Sequence, residues 1–297
     1  MNLKNGMTKI WQFNMRNNDK YWREKNESLI RVEHISIEID LPTKKIHPVR
    51  DVSFEISKGE RVALVGESGS GKTLTALSIM GLLPPTARVV AGNIHFHQQP
   101  ICSSGEYIRP LPRGSKMSMI FQEPKSALNP VFSIGTQIVD VIRAHNELDV
   151  ASAREIALEL FTRVGLPSPE KIMNAYPHQL SGGMAQRCMI AMALSCQPEL
   201  LIADEPTTAL DVMTQREIIK LLKELQERDQ FSLLFITHDL NLVATLAERV
   251  IVMRDGEIVE ENFTIELLQV PREQYTRELL SSYRRLSKQK TVSETLI

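Results

Sequence analysis

The 297-residue sequence predicts a mixed α/β fold: a sheet core with an antiparallel β part and an inserted α-helical subdomain. Three observations predict it. Apolar residues alternate with polar ones after Leu29 (Val32, Ile35, Ile37, Ile39, then Val49, Val52, Phe54, Ile56), as in half-buried strands. Between about Glu123 and Ser195 the period becomes helical, with Ile156, Leu160 and Val164 recurring beside Ala157 and Phe161. From Leu200 onward, short apolar runs alternate with helical stretches.

In chain order, residues 1–28 are polar and carry Trp11, Trp22 and scattered cations without a clean helical stripe. A loose extension fits them better than a lipid-surface helix. The folded unit is expected over 29–286. Lys58-Gly59 turns the chain into the strand Val62–Val65, and Val89–His97 and Met117–Phe121 follow as strands divided by a Gly/Pro/Ser-rich connection. The helical subdomain spans about 123–195. Next come a strand (Leu200–Ala203), a helix (Val212–Arg228), a strand (Leu233–Thr237), a short helix and a strand (Val250–Met253). Asp255-Gly256 is a two-residue hairpin signal. Two short helices precede a tail, 287–297, that reads as frayed.

The stretch that organises the chain follows Val62–Val65 at once: Gly66-Glu67-Ser68-Gly69-Ser70-Gly71-Lys72-Thr73, then Leu74 to Leu82 at helical spacing. Strand, glycine-rich loop and helix together make a phosphate-binding loop, where the pattern alone would be a weak match. The glycines let backbone N–H groups converge on an anion at a helix N-terminus. Lys72 supplies a point charge for the β- and γ-phosphates, and the Thr73 hydroxyl suits Mg²⁺. The chain is therefore expected to bind a nucleoside triphosphate.

A second constellation lies downstream. Leu200-Leu201-Ile202-Ala203-Asp204-Glu205 is an apolar strand ending in two acids, which belong at the carboxyl end facing a ligand crevice. Asp204 is suited to hold Mg²⁺ through its water shell, and Glu205 to address the water that attacks the γ-phosphorus. Just before it, Ser181, Gly182 and Gly183 open an apolar helix with a good N-cap and exposed N–H groups, a second anion site. Read singly, Ser-Gly-Gly is a plain helix start. With one γ-phosphate per ATP and one phosphate loop per chain, the economical reading is that this site serves the ATP of a neighbouring subunit.

Together these motifs resemble the ATP-binding subunits of ABC transporters, over about residues 30–285, and imply an ABC-type P-loop NTPase fold. Leu180–Met184 is similar to the family signature, and Asp204-Glu205 to its second Walker motif. Gln122 matches the Q-loop glutamine, a contact for Mg²⁺ or water; Asp211 in Ala209-Leu210-Asp211 matches the D-loop; His238 matches the switch histidine. The resemblance implies Mg²⁺-dependent ATP hydrolysis between two head-to-tail domains, with Ser181, Gly183 and Asp211 at their interface. In that scheme His238 stabilises the γ-phosphate, and Glu205 acts as general base or as water-positioner.

Finer wording resembles the dipeptide, oligopeptide and nickel importer branch: Ser126–Pro130, Ile134–Ile138, Tyr176–Met184, Ile202–Asp211 and the tail box Pro271–Thr276, where Glu273 and Gln274 replace the branch's His and Pro. The implied partners are two membrane permeases, a second ATPase subunit (a paralogue by resemblance) and an extracytoplasmic binding protein. The implied place is the cytoplasmic face of the cell membrane. No cysteine follows Cys196, so no iron–sulfur cluster is expected. The aromatic that stacks on adenine in this family has no counterpart between Ile39 and Arg50, leaving Ile46 or His47 for that place.

Composition narrows the field. A formal net charge of −1 gives no basic field for nucleic acid, and three cysteines without paired spacing suggest no disulfide framework or zinc site. His95 and His97, placed on one strand face, lack a third ligand for a metal. Met117, Met119, Met184, Met189 and Met192 read as core filler. A non-transport ABC ATPase is disfavoured because neither a second phosphate loop nor a long coiled-coil insertion is present. A non-hydrolysing regulatory subunit is disfavoured by intact Lys72, Asp204, Glu205 and His238.

Overall fold

Apolar runs that stay apolar on both sides of the pleat need cover on both faces, and the strands that carry the functional motifs obtain it. In the computed structural model, which describes residues 27–282, a parallel array is formed by β3 (Arg61–Val65), β7 (Met117–Ile120), β8 (Leu200–Asp204), β9 (Ser232–Thr237) and β10 (Arg249–Arg254). With β11 (Glu257–Phe263) it makes a six-stranded sheet of order β11-β10-β3-β9-β8-β7, antiparallel only at the β10–β11 hairpin. On β3, Ala63 and Val65 enter one hydrophobic cluster while Val62 and Leu64 enter another; β8 and β9 divide in the same way.

The second cluster is shared with an antiparallel sheet of order β2-β1-β4-β5-β6. It comprises β1 (Ser28–Asp40), β2 (Lys45–Ser57), β4 (Ala87–Phe96), β5 (Gln99–Ser103) and β6 (Glu106–Tyr107). Here the predicted alternation holds: Ile30, Val32, Ile35 and Ile37 are buried against the core. The first cluster is completed by helices. Between β7 and β8 lie α2 (Pro124–Ala127), α3 (Ile134–His145), α4 (Val150–Arg163), α5 (Pro169–Asn174) and α6 (Gly182–Leu194). Later come α7 (Val212–Asp229), α8 (Leu240–Leu246), α9 (Thr264–Gln269) and a helix over 274–282.

The caps follow from residue type. Ser133, Asp149, Ser181 and Asp211 each accept a first-turn amide of α3, α4, α6 and α7. By contrast α1 (Lys72–Met80) starts at Gly71 without a side-chain cap, which leaves its N-terminus to an anion. Parallel pairing of Val65 with Thr237 and Val252, and of Asp204 with Ile236, brings the carboxyl ends of β3, β8, β9 and β10 to one edge. That edge carries every loop discussed below.

Two readings of the sequence need correction. The connection after β4 holds two short strands, β5 and β6, with Ile101 and Cys102 buried. Their brevity and the Pro100 within β5 hide the alternation. His97 also leaves the strand: it has φ 48° and Gln98 φ 63°, a turn geometry that separates it from His95. Its Nε2 lies 2.6 Å from Glu199 Oε2 instead. Most of the predicted N-terminal extension, with Trp11 and Trp22, and the tail from Ser287 lie outside the described residues.

Candidate functional site

At the end of β3 the chain turns through a loop pressed between β2 and β10. A Cβ on Gly66 would sit 2.2 Å from the Met253 carbonyl oxygen, and one on Gly71, at φ 101°, 2.6 Å from that of Pro48. Only glycine fits either position, because backbone cannot give way as a flexible side chain can. Inside the loop, Lys72 is buried, and its Nζ donates to the carbonyls of Gly66 (2.9 Å) and Glu67 (2.8 Å), with Ser70 Oγ at 3.3 Å. Burial lowers its pKa, opposed by the carboxylates of Glu205, Asp204 and Glu67. A cation held on neutral carbonyls beside a capless helix is a ready anion receptor.

Thr73 Oγ1 donates to Asp204 Oδ1 at 3.1 Å, tying α1 to the end of β8. Asp204 is only 4% exposed, and burial pushes its carboxyl up to about 6, with Glu205 adding and Thr73 and Lys72 opposing. A hydroxyl and a buried carboxylate short of positive charge are the hard oxygen donors a small divalent cation takes.

The next residue, Glu205, has φ 43°, the left-handed region, uncommon for a side chain of this kind. This kink turns its carboxylate into a polar cluster. Oε2 accepts from Gln122 Nε2 (3.2 Å) and Thr208 Oγ1 (2.8 Å), and Oε1 lies 3.3 Å from His238 Nδ1. A cleft of about 610 Å³ is lined by the phosphate loop (Gly66, Glu67, Ser68, Gly69, Gly71, Lys72, Thr73), by Gln122, Glu205, Thr208 and His238, and by Leu74 and Leu279. Three strand ends and the chain after β7 thus meet around one space, with a cation and an acid on its walls.

A family model described as ABC transporter matches residues 49–208, more than half of the chain. The chain belongs to the ABC transporter family. Among its relatives, the dipeptide transport ATP-binding protein DppD of Escherichia coli is 44% identical over 253 residues, 85% of this chain and 77% of the relative. The oligopeptide transport ATP-binding protein AppD of Bacillus subtilis is 47% identical over 256 residues, 86% and 78% of the two chains. Of solved structures, the ATP-binding cassette MJ0796, a dimer in a post-hydrolysis state bound to ADP and Pi, superposes with TM-score 0.69 at 29% identity. It covers 79% of this chain and 98% of its own. A second neighbour, cbiO1 from Clostridium perfringens, part of the ABC transporter complex cbiONQ, gives 0.67 at 26% identity, covering 83% and 97%.

In this ABC cassette the predicted residues fall into two groups. The phosphate loop, Gln122, Glu205 and His238 share the cleft, with Ser70 and Asp204 buried at its back. Ser181, Gly182, Gly183 and Asp211 do not line it. A Cβ on Gly182 would meet Leu210 at 3.2 Å and one on Gly183 would meet Thr214 Cγ2 at 2.9 Å, so the signature packs on the start of α7. There Asp211 accepts from the amides of Met213 and Thr214, and the Thr214 bonds hold its carboxyl low. Ile46 and His47 do not line the cleft either. Thr208 and Leu279 do, and neither stands out in the sequence. Thr208 lies three residues past Glu205 in a turn closed by its own amide, a spacing that gives its hydroxyl the carboxylate.

Proposed function

We propose that this chain is the ATP-hydrolysing subunit that powers an ABC importer of peptides. The observation that carries the reading is the convergence of Gln122, Thr208 and His238 on the Glu205 carboxylate, in the cleft that Lys72 also lines. Phosphoryl transfer asks of a protein mainly positioning and charge neutralisation. Lys72 exchanges its carbonyl partners for phosphate oxygens, while the loop amides and the start of α1 receive the rest of the anion. Glu205, fixed by three neighbours, orients the attacking water, and His238 addresses the γ-phosphate from the other side of that carboxylate. Thr73 and Asp204 would hold Mg²⁺, Asp204 through water, with Gln122 in reach; the ion would neutralise phosphate charge.

Half of the working pocket comes from a second chain. Ser181 and Gly183, which do not line their own cleft, cap the ATP of a sister domain across a head-to-tail interface that includes Asp211. That partner is a paralogous ATPase subunit or a second copy. No helix among the described residues is long and apolar enough to cross a membrane. In this reading two permease subunits hold the chain at the cytoplasmic face, and an extracytoplasmic binding protein delivers cargo. The names of the relatives at 44% and 47% identity support peptides over nickel or metal chelates. The test is reconstitution with cognate permeases and binding protein in vesicles. ATPase stimulation by di- or oligopeptides is expected. Stimulation by Ni²⁺ alone overturns the cargo, and no ATP hydrolysis overturns the function.

A further inference from the structure

The tail box does something that no motif of the cleft accounts for. Tyr275 is 7% exposed, and its hydroxyl accepts the amide of Glu67, the second residue of the phosphate loop, at 3.2 Å. The two residues are 208 apart in sequence. The ring lies under the Arg254 guanidinium, 4.8 Å from carbon to centroid, at the end of the strand paired with β3. Just before the helix, Glu260 accepts the amides of Arg272 (2.8 Å) and Glu273 (3.0 Å), fixing where it begins. One turn on, Leu279 reaches the cleft itself. The helix 274–282 is thus tied to β11, β10 and the loop at once.

We propose that Tyr275 is a positioning residue for the phosphate loop, and that this C-terminal helix sets the affinity for the nucleotide. The inference rests on the ATP-binding reading above and deepens it. The Glu67 residue is gripped twice, its carbonyl by Lys72 and its amide by Tyr275. A phosphate draws the Lys72 ammonium away, and Tyr275 is then the restraint that remains at that residue. An interaction that weighs more in the bound state than in the empty one raises affinity, whereas one that weighs equally only adds stability. The hydroxyl therefore acts on binding, while the ring and its Arg254 partner serve packing.

The test is Tyr275→Phe in the full-length chain, with Lys72→Met as the control that defines lost binding. MgATP affinity is read with a fluorescent ATP analogue, and KM and kcat by phosphate release. Tyr275→Phe is expected to raise Kd and KM roughly fivefold, about 1 kcal/mol at 1.4 kcal/mol per tenfold. Its kcat stays within about twofold of the parent. Glu260→Ala, which frees the start of the helix and leaves the hydroxyl in place, shifts KM in the same direction. An unchanged Kd and KM in Tyr275→Phe, with or without a lower Tm, overturns the proposal. Wild-type protein that fails to bind the analogue overturns the ATP-binding reading instead.

Discussion

Replacing Asp204 by Asn should stabilise the protein while disabling it, and the size of the effect follows from its burial. The carboxyl is moved from 3.8 up to about 6, chiefly because burial disfavours the charge. The sign is that of a raised acid. Below pH 3.8 it is protonated in folded and unfolded chains alike and costs nothing. As pH rises the unfolded chain ionises first, so stability falls until the folded carboxyl has also ionised above about 6. Two pKa units at 1.36 kcal/mol each make the loss roughly 3 kcal/mol at pH 7.5, and about a third of that at pH 4.5. Asn keeps an oxygen to accept from Thr73 and removes the charge.

Without metal or nucleotide, Asp204→Asn should therefore raise Tm by roughly 6 to 12 °C at pH 7.5, at 2–4 °C per kcal/mol for a domain of this size. The gain should shrink to about a third at pH 4.5. Adding Mg²⁺ should raise the Tm of the parent at pH 7.5 and leave the variant unmoved, because a cation relieves the charge that Asn lacks. Scanning calorimetry at both pH values decides it. An equal gain at the two pH values, or none at either, would show that the buried charge is not what burdens this fold.

The other expectations are shorter. Glu205→Gln should lower phosphate release by about 10² to 10⁴ while MgATP binding persists and an ATP-bound dimer accumulates in gel filtration; near-normal turnover would remove Glu205 from the mechanism. Ser181→Arg should lose turnover but keep MgATP affinity, since this serine does not line its own cleft; its lost cap costs about 1 kcal/mol in a melt. Arg249→Met should destabilise by roughly 3 kcal/mol, because Glu60, 1% exposed and paired to Arg249 at 2.7 and 3.0 Å, is left buried without its cation. In urea unfolding, adding Glu60→Gln should recover much of that loss, and kcat of the folded protein should not change.

What the chain discloses of itself divides by sequence distance. The loop Gly66–Thr73, the caps Ser133, Asp149, Ser181 and Asp211, and the Asp255-Gly256 hairpin are local, and each is readable because one residue type satisfies one backbone need. The strands of the parallel sheet are legible for the same reason: Leu200–Ala203 and Leu233–Ile236 are apolar on both faces because both faces are covered. Contacts that close the site are of another kind. Gln122 and Glu205 are 83 residues apart and Tyr275 and Glu67 are 208 apart, and no periodicity relates them. The acids that end an apolar strand point to Glu205, and resemblance to the family points to Gln122 and His238. Neither points to Thr208, Leu279 or the Tyr275 hydroxyl, which depend on where strand ends and a late helix converge. The residues that hold a catalytic group in place are therefore harder to read from a sequence than the group itself. A reactive side chain announces its chemistry, but a hydroxyl 3.2 Å from a backbone amide becomes visible only once the chain has folded.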